Sequence, residues 1–369
     1  SCLGRAPGAV PTEKIEADGG KFLKLGDGRT IEYFVYGSEK ADAKVLLQNN
    51  GSMGTAWLLK QMTKSVEKLK ELNVKGIAIT RPGEAYSEIN FGANLLHWAQ
   101  HDVKAVLEAE KVDKFSVEGI SQGTSEAMTI AYAFHEQVER MHLIVPMLPM
   151  ELSREVCSHA LRPPNGDKVQ ATAQKIQSKA GCCHHCISSC MCCCVRSCGG
   201  PNMVAAKDTE KNYPGLAKLQ FQDIKRTNLY YNAGTMIWAM SDEYQGRSWG
   251  FDPRELAERV KGKDRVLVSF AVNDKSSHPD WARYLVGHLD ASYQVGDGSV
   301  LADKMEDGHS FWVWRWAQGL MAEQLFKLEA PKQESMDGGA GGNTNAYWDV
   351  PVPEGFSLQL TGTADGKAK

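Results

Sequence analysis

The chain has 369 residues, 42% of them hydrophobic and 24% charged, which is typical of a globular protein with a large buried core. Its formal net charge of −3 gives no reason to expect nucleic acid as a partner. The sequence has no apolar run of the roughly 18 residues that a transmembrane helix needs, and no apolar core of a secretory signal near residue 1.

Strand-like and helix-like segments alternate along most of the chain. Alternating apolar residues on both sides of Gly26-Asp27-Gly28 predict a hairpin over residues 21–36. Further strands are predicted at residues 45–48, 76–80, 114–118, 141–147, 265–272 and 299–304. Helices are predicted at residues 57–72, 94–109, 124–134, 280–289 and 311–328. This order favours an α/β fold with a mostly parallel sheet and helices on both faces.

The alternation stops after Pro149 and returns near residue 251, which predicts the domain organisation. Residues 21–149 and 249–328 would form the core. Residues 150–248 lack a convincing strand and would form a helical cap inserted into that core. We expect the Gly/Pro-rich residues 1–20 to be a flexible arm and the polar residues 329–369 a flexible tail.

One short motif carries the chemistry, namely Gly119-Ile120-Ser121-Gln122-Gly123 between a predicted strand and a predicted helix. Gly-x-Ser-x-Gly in that setting is the pattern of a nucleophile elbow, a turn so tight that the serine hydroxyl projects above the sheet. Side chains at the flanking glycines would collide with neighbouring backbone. The alternative is an ordinary glycine-rich turn, which the rest of the chain makes less attractive.

A serine hydroxyl needs a base to take its proton and an acid to orient that base. Asp274 follows the predicted strand 265–272, and His309 follows the last predicted strand. Both therefore lie at carboxyl ends of strands, where open sheets place their sites. The alternatives are that Asp274 caps a helix and that His309 is a surface loop residue.

Other residues compete for the same roles. Glu151, just after the strand 141–147, is a second candidate acid. His278 and His288 are weaker candidate bases, because neither follows the last predicted strand.

An oxyanion in the reaction would need two N–H donors. The first predicted donor is the backbone N–H of Gln122, at the start of the helix that follows the serine. The second comes from the loop after residues 45–48, where the Ser52 N–H is the first choice and the Met53 N–H the second.

These motifs together resemble the α/β-hydrolase superfamily over about residues 21–328. Residues 50–54 resemble its His-Gly oxyanion loop, and residues 81–87 resemble the Gly-rich loop after the next strand. Residues 97–107, followed by residues 113–123, resemble the helix and strand that lead to the elbow, and residues 251–274 resemble the return from the cap.

By that resemblance Ser121, Asp274 and His309 correspond to the catalytic triad of the superfamily. Asn50 stands where His is usual, and Thr124 and Ala85 stand where glycine is frequent. The oxyanion donors are backbone groups, so these differences leave the machinery in place. A serine nucleophile argues against the dehalogenases and epoxide hydrolases of the superfamily, which use Asp.

The substrate pocket would lie between the core and the cap. Tyr230, Tyr231 and Trp238 are candidate pocket residues together with Met53, and they would suit an acyl or aromatic substrate. The helical stripe of apolar residues in 228–240 is more typical of the cap's own core than of a substrate contact.

Eight of the ten cysteines fall between Cys182 and Cys198, so the remaining chain is cysteine-poor, as in cytoplasmic proteins. Three interpretations of this segment stay open. Cys183 and Cys186 have the spacing of zinc ligands. Acylation of several cysteines would hold the cap against a membrane as a peripheral contact. The third is a loop of free thiols. Disulfides are the least favoured, because adjacent cysteines pair poorly.

The sequence therefore predicts a cytoplasmic serine hydrolase that acts on a small-molecule carboxylic ester, with amides and thioesters next. It would need no cofactor and no catalytic metal. The principal alternative is a binding protein or receptor that keeps the fold and the pocket but does not turn over a substrate. A protein whose main feature is regulation at the cysteine-rich segment is a second alternative.

Overall fold

The computed structural model describes residues 10–51, 54–88, 90, 93–156, 215–227, 249–271, 274, 277–295 and 308–328. Its described residues form an eight-stranded sheet with the strand order β1-β2-β4-β3-β5-β6-β7-β8. The strands are β1 Lys21–Lys24, β2 Thr30–Gly37, β3 Lys44–Asn49, β4 Val74–Ile79, β5 Phe115–Ile120, β6 Val138–Ile144, β7 Val266–Phe270 and β8 Ser292–Val295.

Most of the sheet is parallel. The hairpin β1–β2 pairs Lys21 with Tyr33 and is antiparallel, as the sequence predicted, and β2 is also antiparallel to β4. All the remaining strand pairs are parallel. The chain runs outward from β3 to β4 and then returns to place β5 on the other side of β3. Such a reversal opens a crevice at the carboxyl ends of β3 and β5.

Helices precede, connect and follow the strands. They are α1 Thr12–Ala17, α2 Ala56–Gln61, α3 Thr63–Glu71, α4 Leu95–Trp98, α5 Lys104–Ala109, α6 Gly123–Ala133, α7 Met150–Val156, α8 Leu216–Thr227, α9 Leu256–Arg259, α10 Pro279–His288, α11 Gly308–Ala317 and α12 Leu320–Phe326. A π-helical turn, Ala99–Val103, joins α4 to α5. None of the helices within these described ranges is both long enough and apolar enough to cross a membrane.

The sheet has a hydrophobic core on each face. Successive residues of a strand point to opposite faces, so Leu46 and Leu47 belong to different cores. Helices α4 to α6 and α10 cover the Leu47 face. Helices α2, α3, α11 and α12 cover the Leu46 face. A parallel sheet covered on both faces confirms the predicted fold class.

Two predicted helices are each divided in the structure. The segment 57–72 forms α2 and α3, which are separated at Met62, where ψ is 77° and the helix cannot continue. The segment 311–328 starts earlier, at Gly308, and is divided before α12 by Gly319, whose φ is +76°. A side chain at Gly319 would also lie within 2.7 Å of the Lys68 Cβ atom, so this glycine allows α12 to approach α3.

The last strand of the sheet differs from the prediction. Residues 292–295 form β8, an edge strand parallel to β7 that the sequence pattern did not predict, because it is short and largely polar. The predicted strand 299–304 lies outside the described residues. The division into core and cap stays a prediction.

Candidate active site

Ser121 occupies the turn between β5 and α6 in a strained backbone conformation. Its φ is +53°, in the left-handed region that non-glycine residues rarely adopt. Its N–H donates to the Ile144 carbonyl, 2.8 Å away, at the end of the neighbouring strand β6. The side chain is partly exposed. Such strain persists only where the surroundings impose it, and it is typical of functional turns.

The glycines on either side of this turn are required by close backbone contacts. A Cβ atom on Gly119 would lie 2.2 Å from the Gly123 carbonyl oxygen. A Cβ atom on Gly123 would lie 2.3 Å from the Asn49 carbonyl oxygen and 2.5 Å from that of Asn50. The collision that the motif predicted is therefore confirmed, and the end of β3 packs directly on the start of α6.

Thr124 holds the serine turn against β6, a role that the sequence did not reveal. Its Oγ1 donates to the Ser121 carbonyl at 2.6 Å and accepts the N–H of Met147 at 2.9 Å. A glycine here would lack both hydrogen bonds. The departure from the usual glycine thus strengthens the turn.

Asp274 and His309 come together as the sequence predicted. Nδ1 of His309 lies 2.9 Å from Oδ2 of Asp274, and the Ser277 N–H donates to the other carboxylate oxygen at 2.8 Å. The Asp274 side chain is 1% exposed and the His309 side chain 16%. Because a carboxylate only accepts, Nδ1 carries the proton and Nε2 is the basic nitrogen.

The loop that carries Asp274 is fastened to the sheet. The Ser277 hydroxyl donates to the Pro146 carbonyl, just beyond β6. His278, not Asp274, caps α10, since its ring accepts the Asp280 N–H. The helix-cap alternative for Asp274 is therefore wrong.

The competing residues lie elsewhere. Glu151 is exposed in the first turn of α7, and the carboxylate beside His309 belongs to Asp274. His288 faces the Arg254 carbonyl at 2.8 Å on an exposed surface. His309 pairs with Asp274 through the 2.9 Å contact described above.

The loop between β3 and α2, which we call the β3–α2 loop (residues 50–55), passes beside the serine. A Cβ atom on Gly51 would lie 3.5 Å from the Ser121 Cβ atom. Asn50, in the place of the usual His, accepts the Gly51 N–H on its Oδ1 at 2.8 Å. That N–H therefore already has an acceptor. Ser52 and Met53, the predicted donors, lie outside the described residues.

Gln122 begins α6 directly after the serine and is 1% exposed. Its φ of −52° and ψ of −38° are already helical, so its N–H belongs to the positive end of the helix. This position fits the predicted role of its backbone N–H as an oxyanion donor.

Helix α8 reaches the far end of the β3–α2 loop from the 150–248 segment. Its Asp223 accepts the Thr55 N–H at 2.7 Å and also the Thr55 hydroxyl. The carboxyl is fully buried, and burial raises its pKa to about 7. Arg226, one turn along α8, pairs with buried Glu32 of β2. These contacts attach the predicted cap to the core beside the site.

A second buried contact joins the serine strand to the helix that carries His309. Trp316 of α11 donates its Nε1–H to Oε1 of Glu118 at 2.6 Å, and Gln48 donates to the same oxygen at 2.8 Å. Glu118 is fully buried on β5 and lies three residues before Ser121 in the chain. The contact fixes α11, and with it His309, relative to β5.

Some predicted features lie outside the described residues. They are the pocket residues Tyr230, Tyr231 and Trp238 and the segment from Cys182 to Cys198. Within the part of the chain that is described, no cluster of three or more His, Cys, Asp or Glu side chains is arranged to hold a metal ion.

Solved structures match the chain over most of its length. A hydrolase from Pseudomonas aeruginosa PA01 has 15% identity and a TM-score of 0.55, with 84% of this chain and 98% of that chain covered. An esterase from Exiguobacterium antarcticum has 15% identity and a TM-score of 0.57, with 82% of this chain and 98% of that chain covered. The enol-lactonase from Burkholderia xenovorans LB400 has 15% identity and a TM-score of 0.52, with 83% of this chain and 99% of that chain covered. No family model and no curated protein sequence matches the chain.

At this level of identity the likeness concerns the fold. The length of these matches and the mostly parallel sheet agree with a shared fold. The chain therefore has the α/β-hydrolase fold, as its sequence predicted.

Proposed function

We propose that the protein is a serine hydrolase that cleaves a carboxylic ester through an acyl-enzyme on Ser121. The observation that carries this proposal is the 2.9 Å contact between His309 Nδ1 and Asp274 Oδ2, at the edge of the sheet that also presents the strained Ser121. A histidine oriented by a buried carboxylate, at the sheet edge that also carries a partly exposed serine, is the arrangement that activates a hydroxyl.

In the first half of the reaction, the Ser121 hydroxyl attacks the carbonyl carbon of the ester. His309 Nε2 takes the hydroxyl proton as the new C–O bond forms, and the carbonyl oxygen becomes an oxyanion. The N–H of Gln122 and an N–H of the β3–α2 loop stabilise that oxyanion, at about 3 kcal/mol for each donor. The bond to the alkoxy group then breaks, and His309 returns its proton to the departing alcohol.

In the second half, water attacks the acyl group on Ser121. His309 takes a proton from that water, a second oxyanion forms in the same place, and the carboxylic acid leaves as the serine recovers its proton. Asp274 keeps the proton of His309 on Nδ1 throughout and stabilises the cation that forms in each step.

An ester is the preferred substrate because its alkoxy group leaves more readily than an amine. Amides and thioesters are the next choices. The neighbours of known structure include an esterase and a lactonase, which agrees with an acyl-transfer reaction.

The test is labelling with a fluorophosphonate probe, which reacts only with an activated serine. We expect the wild type to be labelled and Ser121→Ala not to be. Ser116→Ala is the matched control, because Ser116 lies on β5, the strand that leads to Ser121, and its buried hydroxyl has no hydrogen-bond partner among the described residues. This control should be labelled at the wild-type rate.

Turnover of a panel of 4-nitrophenyl esters then separates an enzyme from a receptor. A hydrolase releases many equivalents of nitrophenol for each labelled serine, whereas a binding protein would stop after about one. Failure of the folded wild type to react with the probe would refute the proposal.

A further inference from the structure

The Arg81 guanidinium lies under the β3–α2 loop and binds three of its carbonyl groups. Arg81 follows β4 and is 3% exposed. Its Nη1 donates to the carbonyls of Gly51 at 3.1 Å and of Gly54 at 3.3 Å, and its Nη2 donates to that of Asn50. A turn-rich loop beside the serine is thus held by one side chain from another strand.

The guanidinium is itself fixed by the helix that follows the serine. Arg81 Nε and Nη2 both donate to the carboxylate of Glu126, the latter at 3.1 Å. Glu126 lies in the first turn of α6 and is 2% exposed. A guanidinium has five N–H groups, and these contacts use every one of them. Arg81 therefore connects the serine helix rigidly to the β3–α2 loop.

The direction of these carbonyls determines where the N–H groups of the loop point. In a trans peptide the carbonyl and the following N–H point in opposite directions. In the Asn50–Gly51 peptide, the carbonyl accepts from Arg81 and the N–H donates to Asn50 Oδ1. In the Gly54–Thr55 peptide, the carbonyl accepts from Arg81 and the N–H donates to Asp223. The third peptide carries the Gly51 carbonyl and the N–H of residue 52, the predicted oxyanion donor.

We propose that Arg81 is a positioning residue for the proposed reaction, because its hold on the Asn50, Gly51 and Gly54 carbonyls fixes this loop beside Ser121. The inference rests on the proposed function and adds to it the residue that holds the loop expected to carry the second donor. A donor of this kind stabilises the oxyanion only if it is oriented before the reaction begins.

A lysine cannot take over this role. Its ammonium is a compact charge with three donors, so it can pair with Glu126 but cannot span three loop carbonyls and both carboxylate oxygens. Arg81→Lys therefore keeps the buried charge pair and loses the hold on the loop. Glu126→Gln does the reverse, since it removes the charge pair and leaves Arg81 under the loop.

The two variants separate positioning from mere structural support. If Arg81 only balances the buried charge of Glu126, Glu126→Gln should be the more damaging change in every assay. If Arg81 positions the loop, Arg81→Lys should be the more damaging change in kcat, although Glu126→Gln is the less stable protein.

The experiment measures kcat and KM with 4-nitrophenyl acetate, with the active serines counted by the fluorophosphonate probe and stability measured by thermal unfolding. For Arg81→Lys we expect kcat per active serine to fall about 10- to 100-fold, which is at or below the loss of about 100- to 1,000-fold seen when an oxyanion donor is removed. KM should stay near the wild-type value, and Glu126→Gln should lose at least several-fold less kcat while melting at the lower temperature.

Several results would overturn the inference. They are an Arg81→Lys variant with wild-type kcat, a loss that appears only in KM, and an Arg81→Lys variant that does not fold, which would make Arg81 a structural residue. Wild-type protein that the probe does not label would refute the proposed function itself. A labelled wild type with an unaffected Arg81→Lys variant would refute the inference alone.

Discussion

Gly123→Ala tests how tightly the serine turn and the β3–α2 loop are packed. The new methyl group would point at the end of β3, 2.3 Å from the Asn49 carbonyl oxygen and 2.5 Å from that of Asn50. Both obstacles are backbone atoms, so no side-chain rotation can remove the clash. The variant can fold only if α6 and the β3–α2 loop move apart.

The size of the effect follows from these distances. Ordinary contact between such atoms begins near 3.4 Å, so the two segments must separate by about 1 Å. A displacement of about 1 Å in a catalytic group typically lowers the rate by about 100-fold. Overpacking costs about 1–3 kcal/mol of stability, and the better helix propensity of alanine returns at most about 1 kcal/mol. Activity should therefore suffer far more than folding.

The assay is kcat for a 4-nitrophenyl ester per serine labelled, together with the free energy of unfolding in urea. We expect kcat to fall about 100-fold and stability to fall by about 0–2 kcal/mol. Gly26→Ala is the matched control, because a Cβ atom on Gly26 would have no atom of the described residues within 4 Å. It should change neither quantity.

Wild-type kcat in a folded Gly123→Ala variant would refute this reasoning. The loop would then have no need to lie close to the serine helix. A fall in activity equal to the unfolded fraction of the protein would refute it as well, because the loss would then reflect folding rather than geometry.

Two further changes test the ionisable groups. Asp274 accepts two hydrogen bonds, from Ser277 N–H and His309 Nδ1–H. The Asn of an Asp274→Asn variant has one acceptor oxygen, so its amide N–H₂ would face Nδ1 of His309 and the imidazole proton would move to Nε2. We then expect kcat to fall by about 10⁴-fold with KM unchanged. A loss below tenfold would contradict the assignment of Asp274. Burial raises the pKa of Glu84 from 4.5 to about 8. Between these pH values the folded protein keeps a proton on Glu84 that the unfolded chain has lost. The free energy of unfolding therefore falls as pH rises, by about 1.4 kcal/mol per pH unit. Glu84→Gln should remove that slope in urea unfolding at pH 5 and pH 8, and equal slopes in both proteins would contradict the buried neutral carboxyl.

Much of the fold and the pairing of His309 with Asp274 could be predicted, because both depend on order along the chain. Apolar strands alternate with helices, and residues that follow parallel strands reach the same edge of the sheet. That rule selected Asp274 and His309, whereas Ser121 was identified by its Gly-x-Ser-x-Gly motif. The strained turn at Ser121 was also predictable, because the two glycines identify a close backbone approach.

The side-chain contacts that hold the site were not predictable in the same way. Arg81 and Glu126 lie on different elements, and so do Glu118 and Trp316. No periodicity relates such partners, since their distance depends on how the helices pack on the sheet. Breaks inside helices, such as that at Gly319, were missed because helical periodicity continues across them.

The buried contacts explain why the site can be both strained and well defined. The positive φ of Ser121 costs energy, and a strained residue keeps its conformation only if neighbouring elements leave it no alternative. Glu126 fixes the β3–α2 loop to α6 through Arg81, whereas Glu118 fixes α11 to β5 through Trp316. The two carboxylates lie on the elements that flank Ser121, so the β3–α2 loop and α11 are each fixed relative to that residue. Movement of the loop would then leave α11 in place. Under the proposed mechanism, mutation could therefore disturb the geometry of proton transfer and that of oxyanion binding separately.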